Sequence, residues 1–207
     1  MLYPSSKIRD HLTNLGIKPD DTIMLHGDAG IASQYIYESD KDPVLGFFNE
    51  LKTYLSNGTI LVPSFTYSAT KGDFFDVHET PSDVGLFSEK FRLLDGVKRS
   101  QHPIFSICAF GKYSDYFTSS RVDDCFGDGT FFDQLFNNDV KIVTLGCVLE
   151  HITFVHFVEQ KLGISYRYFK FFIANVLNSG TQSNFDVRYF VRNLKIDTEL
   201  NLSPLET

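Results

Sequence analysis

The sequence predicts an α/β fold built around a layered sheet. Short apolar runs alternate with stretches of helical periodicity, Gly, Pro or Asn punctuates most of the boundaries, and 43% of the residues are apolar. That alternation favours strands covered by helices over a bundle or a sandwich of strands. With 207 residues and no composition break, one compact domain over 1–207 is expected, without linker or internal repeat.

Residues 5–15 read as a short helix, with Ser5 or Ser6 as cap, Ile8, Leu12 and Leu15 at helical spacing, and Gly16 as stop. DTIMLH (21–26) reads as a buried strand that ends at the loop Gly27-Asp28-Ala29-Gly30. A helix is expected over 42–56, with Pro43 in its first turn. The turn Asn57-Gly58 leads into a strand, TILVPS (59–64). Residues 66–84 are polar and suit an active-site loop or lid. A helix follows at 86–94, a strand at 105–111, a short helix near 130–137 and a strand at 141–147. ITFVHFVEQKLG (152–163) reads as a helix stopped by Gly163, residues 166–177 as extended, and the rest as polar without a clear element.

A net charge of −7 excludes a basic nucleic-acid footprint. Cys108, Cys125 and Cys147 are too widely spaced for a zinc pattern and odd in number, so reduced thiols in a cytoplasm are expected. No apolar run suits a signal core or a membrane span.

Ligands of open α/β sheets sit at strand ends, which singles out 26–30 and 146–159. Thr153, His156 and Glu159 lie three residues apart on an expected helix and share one face. An imidazole there suits a general base, and a neighbouring carboxylate suits the group that sets its tautomer. A helical histidine satisfied by a local carboxylate, with no catalytic role, is the plain alternative. His151, His156 and Glu159 raise the question of zinc, but positions 151 and 156 fall about 140° apart on a helix, so no metal is expected. Cys147, His156 and Asp186 follow in the order of an acyl-enzyme triad; a small packed thiol at Cys147 is the favoured reading. Arg99, Ser100 and His102 form a polar turn that suits a phosphate, the floor of a site or plain solvent. Gly27 and Gly30 lack the spacing of a phosphate-binding fingerprint.

Six segments, in order, resemble the aminoglycoside 3-N-acetyltransferase family: DTIMLH with its loop, NGTILVPSFT (57–66), VGLFSEKFR (84–92), KRSQHPIFSICAFG (98–111), FGDGTFFDQL (126–135) and KIVTLGCVLEHITFVHFVE (141–159). The fourth is the most specific, against the family's RRSxHPxxSxxAxG. The resemblance implies an α/β/α sandwich with a central mixed sheet. It implies acetyl-CoA as co-substrate and direct transfer of the acetyl group to a small-molecule amine, with His156 as general base and Glu159 or Asp186 as the carboxylate that orients it. Coenzyme contacts are then expected at His26, Gly27, Asp28, Ala29, Pro63, Arg99, Ser100, His102 and Thr153. The chain departs from the family at Gly27-Asp28, where Ser is usual, at Thr130-Phe131, where Ser-Pro is usual, and in a short C-terminal part. The departures at Asp28 and in the C-terminal half favour an amino sugar, free or nucleotide-linked, over an aminoglycoside drug. The rival readings are a non-catalytic coenzyme-binding relative and a metal-dependent hydrolase. No nucleic-acid or membrane partner is expected, and a homodimer is left as an alternative to the monomer.

Overall fold

The computed structural model describes residues 2–38 and 41–196. The first half runs β1 (Tyr3–Pro4), α1 (Lys7–Asn14), β2 (Thr22–Gly27), α2 (Ala29–Ala32), β3 (Tyr35–Ile36), α3 (Pro43–Tyr54), β4 (Thr59–Pro63), β5 (Phe74–Asp76) and α4 (Leu86–Arg92). The second half runs β6 (Lys98–Arg99), β7 (Ile107–Gly111), α5 (Ser114–Thr118), α6 (Phe131–Asn137), β8 (Lys141–Leu145), α7 (Phe154–Leu162), β9 (Arg167–Asn178) and β10 (Thr181–Arg192).

The central sheet has the order β6-β7-β4-β2-β8. Strand β2 pairs in parallel with both β4 and β8, while β7 runs antiparallel to β4 and β6 to β7. It is therefore the mixed sheet that the resemblance implied. Pleating sends alternate side chains to opposite faces. Ile23 and Leu25 of β2 join Ile60 and Val62 of β4 beneath α1, α3 and α4. Met24 and Leu61 face the other way, toward Phe117, Phe132, Leu135 and Phe157 of α5, α6 and α7.

Phenylalanine fills both layers. Phe48 packs on Phe87 and Phe91 with ring centroids 4.5 and 4.8 Å apart. Each such side chain, buried outright, contributes roughly 1.5–3 kcal/mol by leaving water. The rich phenylalanine content thus belongs mainly to the core.

Local chemistry explains the helix ends. Asp42 accepts from the N–H groups of Val44 and Leu45 and caps α3, with Pro43 just inside. Gly163 ends α7 in the left-handed region at φ 62°. The expected cap of α1 is corrected: Ser6 holds the N-cap position without a side-chain bond, and Ser5 Oγ instead donates to Glu50 at 3.2 Å. Leu15 is also solvent-exposed and not a core residue.

A second sheet, β10-β9-β5, was not foreseen. The polar tail read as featureless begins with β10, which pairs with β9 along twelve residues each. Ser179 and Gly180 join them, with φ of 49° and 81°. Two residues with positive φ fit the primed hairpin turn, whose twist matches paired strands. Val176 and Ala174 of β9 and Val187 of β10 point inward and extend the core. The segment 66–84 is likewise not a free lid. It contains β5, paired in parallel with β9, and a 3₁₀ turn at Ser68–Lys71. Among the described residues no helix is long and apolar enough to cross a membrane.

Candidate active site

Strands β2, β4 and β8 run parallel, so their C-terminal ends open on one edge of the sheet. A cavity of about 340 Å³ lies there, lined by His26 and Gly27 at the end of β2 and Pro63 at the end of β4. Phe65, Tyr67 and Val84 wall it from the 66–84 segment, and Cys147, His151 and Thr153 from the chain after β8. Four of the expected coenzyme contacts, His26, Gly27, Pro63 and Thr153, therefore share one cavity. Gly27 is required by packing: a Cβ there would stand 2.5 Å from Phe87 Cε1. Neither ring nitrogen of His26 has a hydrogen-bond partner among the described residues. Burial, reinforced by the positive field of His151, pushes its pKa down to about 4. The ring is neutral at physiological pH and keeps one donor and one acceptor for a ligand.

His156 lies one helical turn beyond Thr153, half-buried, outside the lining of this cavity. Its Nδ1 is 2.7 Å from Glu159 Oε2. Tyr166 donates to the other oxygen of Glu159 at 2.7 Å. Arg167 brings Nε within 2.8 Å of Glu159 Oε2 and Nη2 within 2.8 Å of His156 Nδ1. Phe126 closes one side of the imidazole, ring centroids 5.6 Å apart. Burial lowers the pKa of His156, and Arg167 and Arg192 lower it further against the pull of Glu159. Burial opposes the charge on Glu159, but hydrogen bonds from Tyr166 and His156 and the Arg167 guanidinium outweigh it and hold the carboxyl below its ordinary range. A neutral imidazole donating Nδ1–H to a carboxylate leaves Nε2 as a base.

The sequence profile of the aminoglycoside 3-N-acetyltransferase family matches residues 42–199. The chain belongs to this family. A curated relative, aminoglycoside N(3)-acetyltransferase IV of Salmonella sp, is 28% identical over 123 residues, which cover 58% of this chain and 44% of the relative. The matched stretch thus spans less than half of that protein. The solved structure of AAC-IIIb with CoASH has a TM-score of 0.79 at 20% identity, covering 92% of this chain and 77% of that one. YokD of Bacillus subtilis gives 0.78 at 19% identity, with 92% and 83% covered. Sisomicin-bound AAC-VIa gives 0.76 at 18%, with 93% and 78% covered. Identities this low establish the shared fold.

Of the roles expected for the turn at 99–103, the structure favours the floor of the site over coenzyme contacts. Arg99, Ser100 and His102 spend their polar atoms inside the protein. Arg99 Nε meets the hydroxyls of Ser64 and Ser106 at 3.2 and 3.1 Å, and Nη2 the carbonyl of Ser64 at 2.7 Å. Its Nη1 holds the carbonyls of Val77 and Thr80, and the guanidinium lies over the Phe75 ring at 4.8 Å. Burial lowers its pKa to about 10, so it remains a cation. Ser100 Oγ accepts from Ile107 N at 3.0 Å. His102 Nδ1 accepts from the N–H groups of Ile104 and Phe105, and Nε2 donates to the carbonyl of Asp124 at 3.2 Å. Arg99 ties the β5 region of the second sheet to the first, Ser100 braces β7, and His102 holds the chain at Asp124, so their polar atoms are spent inside the protein and not left free for the coenzyme.

Asp28 is also reassigned. Its carboxylate accepts from Gly30 N at 2.7 Å and caps α2. Neither Asp28 nor Ala29 lines the cavity. Asp186 is exposed on β10, opposite Ile173, and the carboxylate within hydrogen-bond distance of His156 Nδ1 is that of Glu159. Cys147 donates Sγ–H to the carbonyl of His26 at 3.3 Å, and burial raises its pKa. It is a protonated thiol in the cavity wall whose proton is committed to that carbonyl. Among the described residues no group of three His, Cys, Asp or Glu side chains is arranged to hold a metal ion.

Sequence reasoning missed Tyr166, Arg167 and Tyr67. Tyr166 immediately precedes β9 and Arg167 begins it, eleven or fewer residues past His156 but outside its helix. No helical or strand period marks such a meeting.

Proposed function

We propose that the chain is a coenzyme-A-dependent N-acyltransferase that moves an acetyl group from acetyl-CoA to an amine of an amino sugar or aminoglycoside-like acceptor. The observation that carries this reading is the His156–Glu159 pair at 2.7 Å, with the imidazole held neutral beside the strand-end cavity. Family membership supports the reaction class, and the coenzyme and sisomicin seen in structures of the same fold support the two substrate classes.

The acceptor amine attacks the thioester carbonyl as His156 Nε2 takes a proton from the nitrogen. Collapse of the tetrahedral intermediate breaks the C–S bond, and the proton passes to the departing thiolate. The products are the acetamide and free coenzyme, with no covalent enzyme intermediate. Thr153 caps α7 without spending its hydroxyl on the helix and lines the cavity, so it suits a contact to the coenzyme or the oxyanion. The polar groups in the mixed cavity wall, His26, Tyr67, Ser88 and His151, support a sugar-like acceptor, with Glu150 as a carboxylate for a cationic amine.

The test is thiol release from acetyl-CoA against a panel of amino sugars and aminoglycosides, beside a melting curve with and without the coenzyme. We expect a raised Tm, since a ligand that binds only the native state stabilises it, and release with at least one amine. A folded protein with neither shift nor release refutes the proposal. A shift with no release on any amine marks the chain as a non-catalytic coenzyme binder.

A further inference from the structure

One buried cation in the site has no part in this scheme so far. The Arg167 side chain is 8% exposed. Its Nη1 donates across the hairpin to the carbonyl of Phe190 at 3.1 Å, which fixes the guanidinium in place. Its Nε is 2.8 Å from Glu159 Oε2, yet that N–H finds no hydrogen-bond partner among the described residues, so the contact is one of charge and not of a directed bond. Its Nη2 is 2.8 Å from His156 Nδ1, the same nitrogen that Glu159 approaches at 2.7 Å.

One ring nitrogen cannot satisfy both neighbours. A guanidinium only donates, and an ionised carboxylate only accepts. If Nδ1 carries the proton, Glu159 accepts it and Nε2 offers a lone pair to the acceptor amine. If Nδ1 is bare, Arg167 donates to it, Nε2 carries the proton, and the ring is no base toward the amine. Glu159 is ionised, which selects the first arrangement.

We propose that Arg167 is a positioning residue for the acyl transfer: it anchors the Glu159 carboxylate that keeps the proton on Nδ1, and its charge makes the protonated His156 ring short-lived. This rests on the reading of His156 as the base. Once Nε2 has taken the amine proton, the imidazolium faces Glu159 from its own helix, Arg167 from β9 and Arg192 from β10. Tyr166 spends its hydroxyl on Glu159, and Phe126 brings no charge. Burial disfavours the charged ring, the two guanidiniums offset much of the pull of Glu159, and the thiolate formed by C–S cleavage receives the proton.

The test reads the ring itself. Protein with ¹⁵N-labelled histidine is titrated by NMR without substrates, and the His156 signals are assigned from the His156→Gln spectrum. Wild type should show the Nδ1–H tautomer and a midpoint below the ordinary 6.5 of imidazole. Arg167→Gln should raise the midpoint by about one pH unit, the scale of one neighbouring charge at a partly exposed site. Arg167→Lys keeps the charge but loses the planar fork, so the midpoint should stay low while the Nε2–H tautomer gains population. Unchanged midpoint in Arg167→Gln overturns the proposal. Should that variant not fold, unchanged tautomer populations in Arg167→Lys overturn it. The readout needs no turnover, so expected ring behaviour in a protein that transfers no acetyl group would sink the proposed function, and with it the catalytic role of Arg167, while leaving its hold on the His156 proton established.

Discussion

His102 offers the sharpest test of how the floor of the site is held. Burial lowers its pKa from 6.5 to about 4 against the pull of Asp124, so the ring is neutral in the folded protein and titrates normally in the unfolded one. Between those two values the unfolded state binds more protons, and stability therefore rises with pH. The contribution is fully present above about pH 6.5 and is lost as pH falls toward 4. At 1.36 kcal/mol per pKa unit the loss is on the order of 3 kcal/mol. His102→Gln removes this titration. It also takes the acceptor from the buried N–H groups of Ile104 and Phe105. Leaving such groups unpaired costs about 1–3 kcal/mol each, so the variant should be roughly 2–6 kcal/mol less stable at pH 7.5. Urea unfolding followed by circular dichroism, repeated from pH 7.5 to 4.5, gives both numbers. The gap between wild type and variant should narrow below pH 6, by up to about 1.4 kcal/mol per pH unit. Parallel curves across that range would refute the reasoning, because they would mean that the buried ring takes up its proton as freely as in the unfolded chain.

Arg99→Ala should cost roughly 3 kcal/mol or more, since it strips donors from the carbonyls of Ser64 and Thr80; a Tm within a degree of wild type would show the guanidinium to be dispensable. His156→Ala should lower turnover by roughly 10²–10⁴ with little change in coenzyme affinity, whereas Cys147→Ala should keep most activity; a dead Cys147→Ala with a trapped acyl-cysteine would replace direct transfer with a covalent route. The acid limb of kcat/KM in wild type should fall at a pH below 6.5, because burial and two arginines depress His156, and a limb at or above 7 would contradict that environment. Gly27→Ala should destabilise by about 1–3 kcal/mol through its clash with Phe87, and an unperturbed Tm would show that the ring yields without cost.

Local chemistry made much of the scaffold legible. TILVP and KIVTL carry their strands in their own apolar runs, Asp42-Pro43 announces α3, and Gly163 announces the end of α7. Thr153, His156 and Glu159 could be placed on one face because the 3.6-residue period needs no tertiary information. The hairpin was harder. FKFFIANV carries its inward residues between exposed aromatic ones, and β10 is polar enough to pass for a tail. Only the Ser179-Gly180 turn hinted at the pairing, and a turn signal gains meaning when both flanking strands are recognised.

The sequence by itself determined the α/β layering and the family and put Thr153, His156 and Glu159 on one helix face, since each rests on residues close together in the chain or on an ordered series of short motifs; it left Glu159 and Asp186 both open as the carboxylate beside His156. Only the tertiary structure decided which polar residues are spent and which remain available. Arg99 and His102 look like ligand-binding groups until Ser64, Thr80 and Asp124 are brought to them from 19 or more residues away. Arg167 looks like one more strand cation until β9 folds it against α7. A side chain's chemistry is written in its identity, but its protonation and its free valences depend on burial and on partners distant in the chain, and these exist only once the chain has closed on itself.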